Sequence, residues 1–214
     1  MYNTQSKWYS NLYNSQVWEH NTGNFQTYYG TKYKHIFEYV VNISPLTTKV
    51  LNDIQYVSEV EIYNPSFKQY TQYKDRTYNE CLIYNHTQST GVIDIIVKDN
   101  TDPFTSVLTS FDPSEILASN KESVWSINSF RDMVVQTNPT EPIFTSNWDT
   151  PMYQLAYPID KVPNMNVLNY TKSQFEMEVF RDNAIKVRLF YKDDTANSRI
   201  LTKYITSDIT KSQR

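Results

Sequence analysis

Apolar positions in this chain recur mostly with a period of two, the spacing that sets alternate side chains on opposite faces of a strand. Residues 34–41 place Ile36, Glu38 and Val40 against His35, Phe37, Tyr39 and Val41. Both sets are largely apolar, which predicts a strand buried on both sides. Residues 42–48 contain Pro45 and read as a connection. A second strand is expected over 50–62, with Ile54, Tyr56 and Ser58 on one face and Val57 on the other. Pro65 ends it, and the polar, tyrosine-rich residues 64–76 read as a surface loop. Residues 78–84 and 92–98 predict a hairpin across 85–91, where Gly91 supplies backbone freedom. Near the C-terminus, Ile185, Val187, Leu189 and Tyr191 alternate with Lys186 and Arg188. Residues 199–206 return across a polar loop, so these two segments predict a second hairpin.

Elsewhere the pattern changes. Asp112-Pro113-Ser114-Glu115 has the order of a helix start: a capping Asp, Pro at the first position, then Glu. It predicts a short helix over about 113–119. The spacing of Val124, Ile127, Phe130 and Val134 fits a single helical or 3₁₀ turn. Residues 171–181 are ambiguous, with Thr171 or Ser173 able to cap a helix. Residues 1–17 have no clear period and read as an arm. Residues 137–166 hold five prolines and predict a long extended excursion anchored by Phe144, Trp148 and Tyr153. The expected organisation is the arm 1–17 followed by one β-rich domain, 18–214. Its expected class is mainly β: an antiparallel β-sandwich-like domain with a few short helices and long surface loops.

Composition sharpens this picture. The 214 residues include 18 tyrosines and only 3 glycines, two of them in the turn-rich block Trp18-Glu19-His20-Asn21-Thr22-Gly23 and Tyr28-Tyr29-Gly30. Tyrosine suits half-buried strands and protein interfaces, because it joins a large ring to a hydroxyl. The net charge is -3, from 20 basic and 23 acidic residues, and no basic run is long enough to track phosphates. A nucleic-acid partner is therefore not expected. Nor is membrane insertion, since no apolar stretch approaches about 20 residues. Residues 1–8 lack the apolar segment of a signal peptide, so the sequons at Asn42, Asn85 and Asn169 read as chance. Cys81 stands alone and can form no intrachain disulfide.

Candidate chemistry is thin. His20, His35 and His86 are scattered over a turn, a strand and a loop, without metal-ligand spacing. There is no GxSxG, and three glycines leave little for a phosphate loop. Cys81 lies in a strand pattern with no neighbouring cation to activate it. Glu59/Glu61, Glu176/Glu178 and Asp193/Asp194 are carboxylate pairs that a strand face or a turn explains. No catalytic, cofactor-binding or metal-binding residue is assigned, no cofactor is expected, and the chain reads as a non-enzyme. Trp8, Trp18, Trp125 and Trp148 leave open an alternative, a carbohydrate-binding adhesin module for a host surface.

Four blocks carry a family resemblance. The first is 18–23 with Phe25 and Tyr29-Gly30, continuing through Phe37-Glu38-Tyr39-Val40-Val41-Asn42 and Thr48-Lys49-Val50-Leu51-Asn52. The second is Trp125-Ser126-Ile127-Asn128-Ser129-Phe130-Arg131-Asp132 and the third Pro158-Ile159-Asp160-Lys161-Val162-Pro163-Asn164. The fourth runs from Phe180-Arg181-Asp182 through Val187-Arg188-Leu189 to Ser212-Gln213-Arg214. In this order they resemble the C-terminal portion of crAss-like bacteriophage tail "stabilization" proteins, also described as the tail muzzle. The resemblance implies a structural virion protein near the distal end of a short tail, made in the bacterial host cytoplasm and acting through protein–protein contacts. Implied partners are other tail proteins, copies of the chain in a ring, and the N-terminal fragment of a longer parent chain. The arm 1–17 and the excursion 137–166 are the expected contact segments. The resemblance implies no catalytic residues.

Overall fold

The computed structural model describes residues 2–4, 7–11, 16–20, 22–85, 88–97, 115–132, 177–193 and 197–212. These residues form strands and connections, with no helix among them. In chain order the strands are β1 (Tyr2–Thr4), β2 (Lys7–Asn11), β3 (Val17–Glu19), β4 (Thr27–Tyr28) and β5 (Thr31–Lys32). There follow β6 (His35–Val41), β7 (Lys49–Asn64), β8 (Gln69–Tyr73), β9 (Glu80–Tyr84) and β10 (Ser89–Val97). The last five are β11 (Glu115–Lys121), β12 (Val124–Asn128), β13 (Arg181–Asp182), β14 (Ile185–Tyr191) and β15 (Ser198–Lys211). The mainly β class expected from the two-residue period is the class found.

The spine is β7. Its 16 residues pair along one edge with β15, and along the other with β13, β12 and β8 in turn. The sheet then continues β12-β11-β10-β9-β14-β6. Every pairing is antiparallel except β10 with β11. The sheet curls around one core: Val41, Ile54, Tyr56, Ile83, Ile93, Ile116, Trp125, Ile127, Val187, Leu189 and Ile200 share a single buried cluster. They come from β6, β7, β9, β10, β11, β12, β14 and β15, and each buried aliphatic side chain contributes roughly 1.5–3 kcal/mol. The curl brings the two ends of the path together, where Tyr39 of β6 and Ser207 of β15 hydrogen-bond at 2.8 Å. This double-layered, sandwich-like form follows from sheet twist over many strands.

A second buried layer lies on the other face of β14, whose seven residues are all buried. There Phe190 packs with Leu82 and Tyr84. Arg188 pairs with Glu38, its Nε donating to Oε2 at 2.6 Å, and donates to Tyr84 Oη at 3.2 Å. Lys34 is ion-paired with Glu80 beside them. Burial pushes the Tyr84 phenol up to about 12, so it stays protonated within this network.

Several expectations are corrected. Residues 115–119 belong to strand β11 rather than a helix, and 113–114 lie outside the described residues. Parallel pairing with β10 and burial of Ile116 and Ala118 outweigh a capping signal of order 1 kcal/mol. The expected helical turn at 124–130 is instead β12, with Trp125 and Ile127 inward. The chain then bends at Ser129, whose φ is 66°, to bury Phe130; Val134 lies outside the described residues. The expected C-terminal hairpin does not form: β14 sits between β6 and β9, and β15 lines β7 instead. Within the expected loop 64–76, β8 folds back on β7. The strand β6 is not buried on both sides, because it ends the sheet path: Val40 is 46% exposed and only Val41 is buried. Two strands and part of a third occupy 1–17, forming the three-stranded sheet β1-β2-β3.

Other expectations hold. The strand over 50–62 is β7, with Ile54, Tyr56 and Ser58 buried together. The hairpin around 85–91 is β9–β10, and Gly91 has φ 67° at its register shift. In the ambiguous stretch, residues 177–180 have no regular structure and bury Phe180, while 171–176 lie outside the described residues. The excursion 137–166, with Trp148, also lies outside them.

Candidate functional site

The block around Trp18 builds an aromatic lobe beside the main sheet. Tyr29 (φ 51°) and Gly30 (φ 78°) form the tight turn between β4 and β5. Two successive positive φ values match the right-handed twist of a short hairpin. Trp18 lies across this turn: a Cβ added to Gly30 would stand 3.1 Å from its Cη2 atom. The Tyr29 ring meets Trp18 edge-on at 5.8 Å, and its hydroxyl joins Ser10 at 2.8 Å. His20 reaches the same Ser10 hydroxyl at 2.7 Å, so this histidine serves the local fold.

Two open clefts flank the lobe. One, of about 640 Å³, is bounded by Phe25, Gln26, Tyr28, Tyr33, His35 and Arg199. The other, of about 580 Å³, runs from Val17 to Gly30. Gln26 lies between them and belongs to both. Its φ is 61°, a conformation that L side chains rarely adopt. Both polar atoms of its amide are buried without a hydrogen-bond partner, as is Trp18 Nε1. Each such orphan costs about 1–3 kcal/mol.

The cleft's far wall comes from the end of the chain. Arg199 donates from Nε at 2.9 Å and Nη2 at 2.7 Å to Glu61 Oε2. Its guanidinium lies 4.1 Å from the Tyr70 ring centre and 5.3 Å from that of Phe25. These donated bonds hold the Glu61 carboxyl below the usual carboxylate range. His35 stacks on Tyr78 at 6.4 Å, and burial lowers its pKa, favouring the neutral ring.

The remaining candidates have structural places. Cys81 is fully buried and burial pushes its thiol pKa up, so it is no nucleophile at neutral pH. Glu59 pairs with Lys203 at 2.6 Å. Asp193 accepts from Tyr191 Oη at 2.7 Å. Trp125 is core, while Trp8 is 44% exposed. Asn85 is wholly buried. His86, Glu176 and Asp194 lie outside the described residues. Among the described residues, no group of three or more His, Cys, Asp or Glu could hold a metal ion.

The ends of β7 carry exposed apolar tips. Before it, Ile43 is 62% exposed and Leu46 fully so, on a turn where Thr47 N–H donates to Ser44 O at 3.0 Å. After it, Phe67 is 74% exposed on a turn held by Asn64 Oδ1, which accepts from Ser66 N–H at 3.0 Å. Sequence reasoning missed the cleft because Arg199 and Ile200 join Phe25 and Tyr28 only through the β7–β15 pairing. The one available signal was the Tyr28-Tyr29-Gly30 turn. No protein-family model matches the chain, and no curated protein matches its sequence.

Proposed function

We propose that this chain is a structural component of a short-tailed phage virion, part of the muzzle or distal tail assembly, and that it works through protein–protein contacts rather than catalysis. The observation that carries the reading is the pair of apolar tips at opposite ends of β7. A 16-residue strand spans roughly 50 Å. Ile43 and Leu46 at one end and Phe67 at the other could each seat in a neighbour. Burying each such tip in a neighbour would contribute roughly 1.5–3 kcal/mol. The four blocks resembling crAss-like tail proteins, in the same order, supply the choice of assembly. Partners in this reading are other tail proteins and further copies of the chain.

Sedimentation of the purified chain, alone and with the other tail proteins of its virion, tests the proposal. Association that is lost in a Leu46→Ser/Phe67→Ser double variant is the expected result. A chain that stays monomeric and ignores every tail protein would sink the reading.

A further inference from the structure

We propose that the cleft between the aromatic lobe and β15 binds a neutral oligosaccharide. Three observations converge on it. First, aromatic rings line it: Tyr28 is 60% exposed, Tyr33 packs edge-on to it at 6.0 Å, and Phe25 lines the same cleft. Aromatic faces carry negative charge density and attract the weakly positive C–H faces of a pyranose ring. Second, Gln26 combines a left-handed backbone with an amide whose donor and acceptor both lack partners. Gln26 thus joins a sparsely populated backbone conformation to an amide open to a ligand's hydrogen bonds. The amide can both donate and accept, as can the vicinal hydroxyls of a sugar. Third, the cleft's cations are already matched, Lys34 by Glu80 and Arg199 by Glu61. A lining without unmatched charge favours an uncharged ligand over an anionic one. The volume, about 640 Å³, lies within the roughly 300–1,000 Å³ typical of ligand sites.

The test is calorimetric titration of the intact chain with neutral hexasaccharides of glucose, mannose, galactose and N-acetylglucosamine, beside an uncharged Ser/Thr/Asn peptide. At least one sugar is expected to bind with a millimolar or tighter dissociation constant. Tyr28→Ala and Gln26→Ala should each weaken it about tenfold or more. Trp8→Ala, which alters an exposed tryptophan outside the cleft, should leave it unchanged. Tyr28 is exposed, so its variant keeps the test valid if Gln26→Ala fails to fold by circular dichroism. Three results overturn the proposal: no sugar binds, binding survives Tyr28→Ala, or the peptide alone binds and is lost in the same variants.

Discussion

Tyr39 and Ser207 lie 168 residues apart in sequence, yet their hydroxyls meet at 2.8 Å where the two ends of the curled sheet approach. Burial raises the Tyr39 pKa, which keeps the phenol protonated. Tyr39→Phe removes this bond without changing the ring. The expected loss is about 1 kcal/mol, because Ser207 is only half-buried and can turn to water. Urea denaturation with the midpoint lowered and the slope unchanged is the matching result.

Gly30→Ala should destabilise more than Gly23→Ala. Both glycines have positive φ, 78° and 86°. A Cβ at Gly23 meets open space, whereas at Gly30 it presses on Trp18. The backbone cost alone is about 1 kcal/mol at each site. The extra cost at Gly30 should appear as a lower Tm together with a shift in tryptophan emission. Equal effects at both positions would contradict the packing described.

Arg199→Lys is expected to cost about 1 kcal/mol although the charge is kept. Lysine cannot lie flat on Tyr70 or offer the same fork of donors to Glu61. Thermal melts of Arg199→Lys and Arg199→Ala check this. A lysine variant as stable as the parent would show that charge alone matters.

Acid should destabilise the fold through two groups. Glu61 has a depressed pKa in the folded state. Its contribution is complete above the unfolded value, about 4.3, and is lost as pH falls through the lower folded value. His35 is also depressed, so the unfolded chain takes up its proton first. Stability therefore falls as pH drops below about 6.5. Denaturation from pH 7 to 5 should flatten in His35→Gln. The further loss below pH 5 should shrink in Glu61→Gln.

Leu46→Ser and Phe67→Ser should each leave the folding free energy within about 0.5 kcal/mol, since both side chains stand in solvent. Chemical denaturation of the isolated chain checks this. A large loss of stability at either site would mean that the tip packs within the chain.

Local pattern alone was enough to identify β7, β9, β10 and β14 as strands. The alternation around Ile54, Tyr56 and Ser58 is the alternation of burial in β7, whereas β14 buries both of its faces. Local pattern failed where a weak local signal competed with pairing. The capping residues before Ile116 suggested a helix, but β10 pairs with residues 115–118 and β12 with residues 118–121. The alternation of Lys186 and Arg188 with apolar neighbours does not reveal that both are buried, against Tyr84 and Glu38.

The sequence by itself determined the β class, the inward residues Ile54, Tyr56 and Ser58 of β7 and the turn glycines. These depend on side-chain period and on φ, which are properties of neighbours along the chain. Apart from the β9–β10 hairpin, which strands pair was decided only in three dimensions. Two adjacent segments near the C-terminus looked like a hairpin, yet β15 lies along β7 and β14 between β6 and β9. Period does not encode partner, since any strand edge offers the same backbone donors and acceptors. The cleft shares that origin: Gln26 and Arg199 come to face one cavity because the long edge of β7 captured β15.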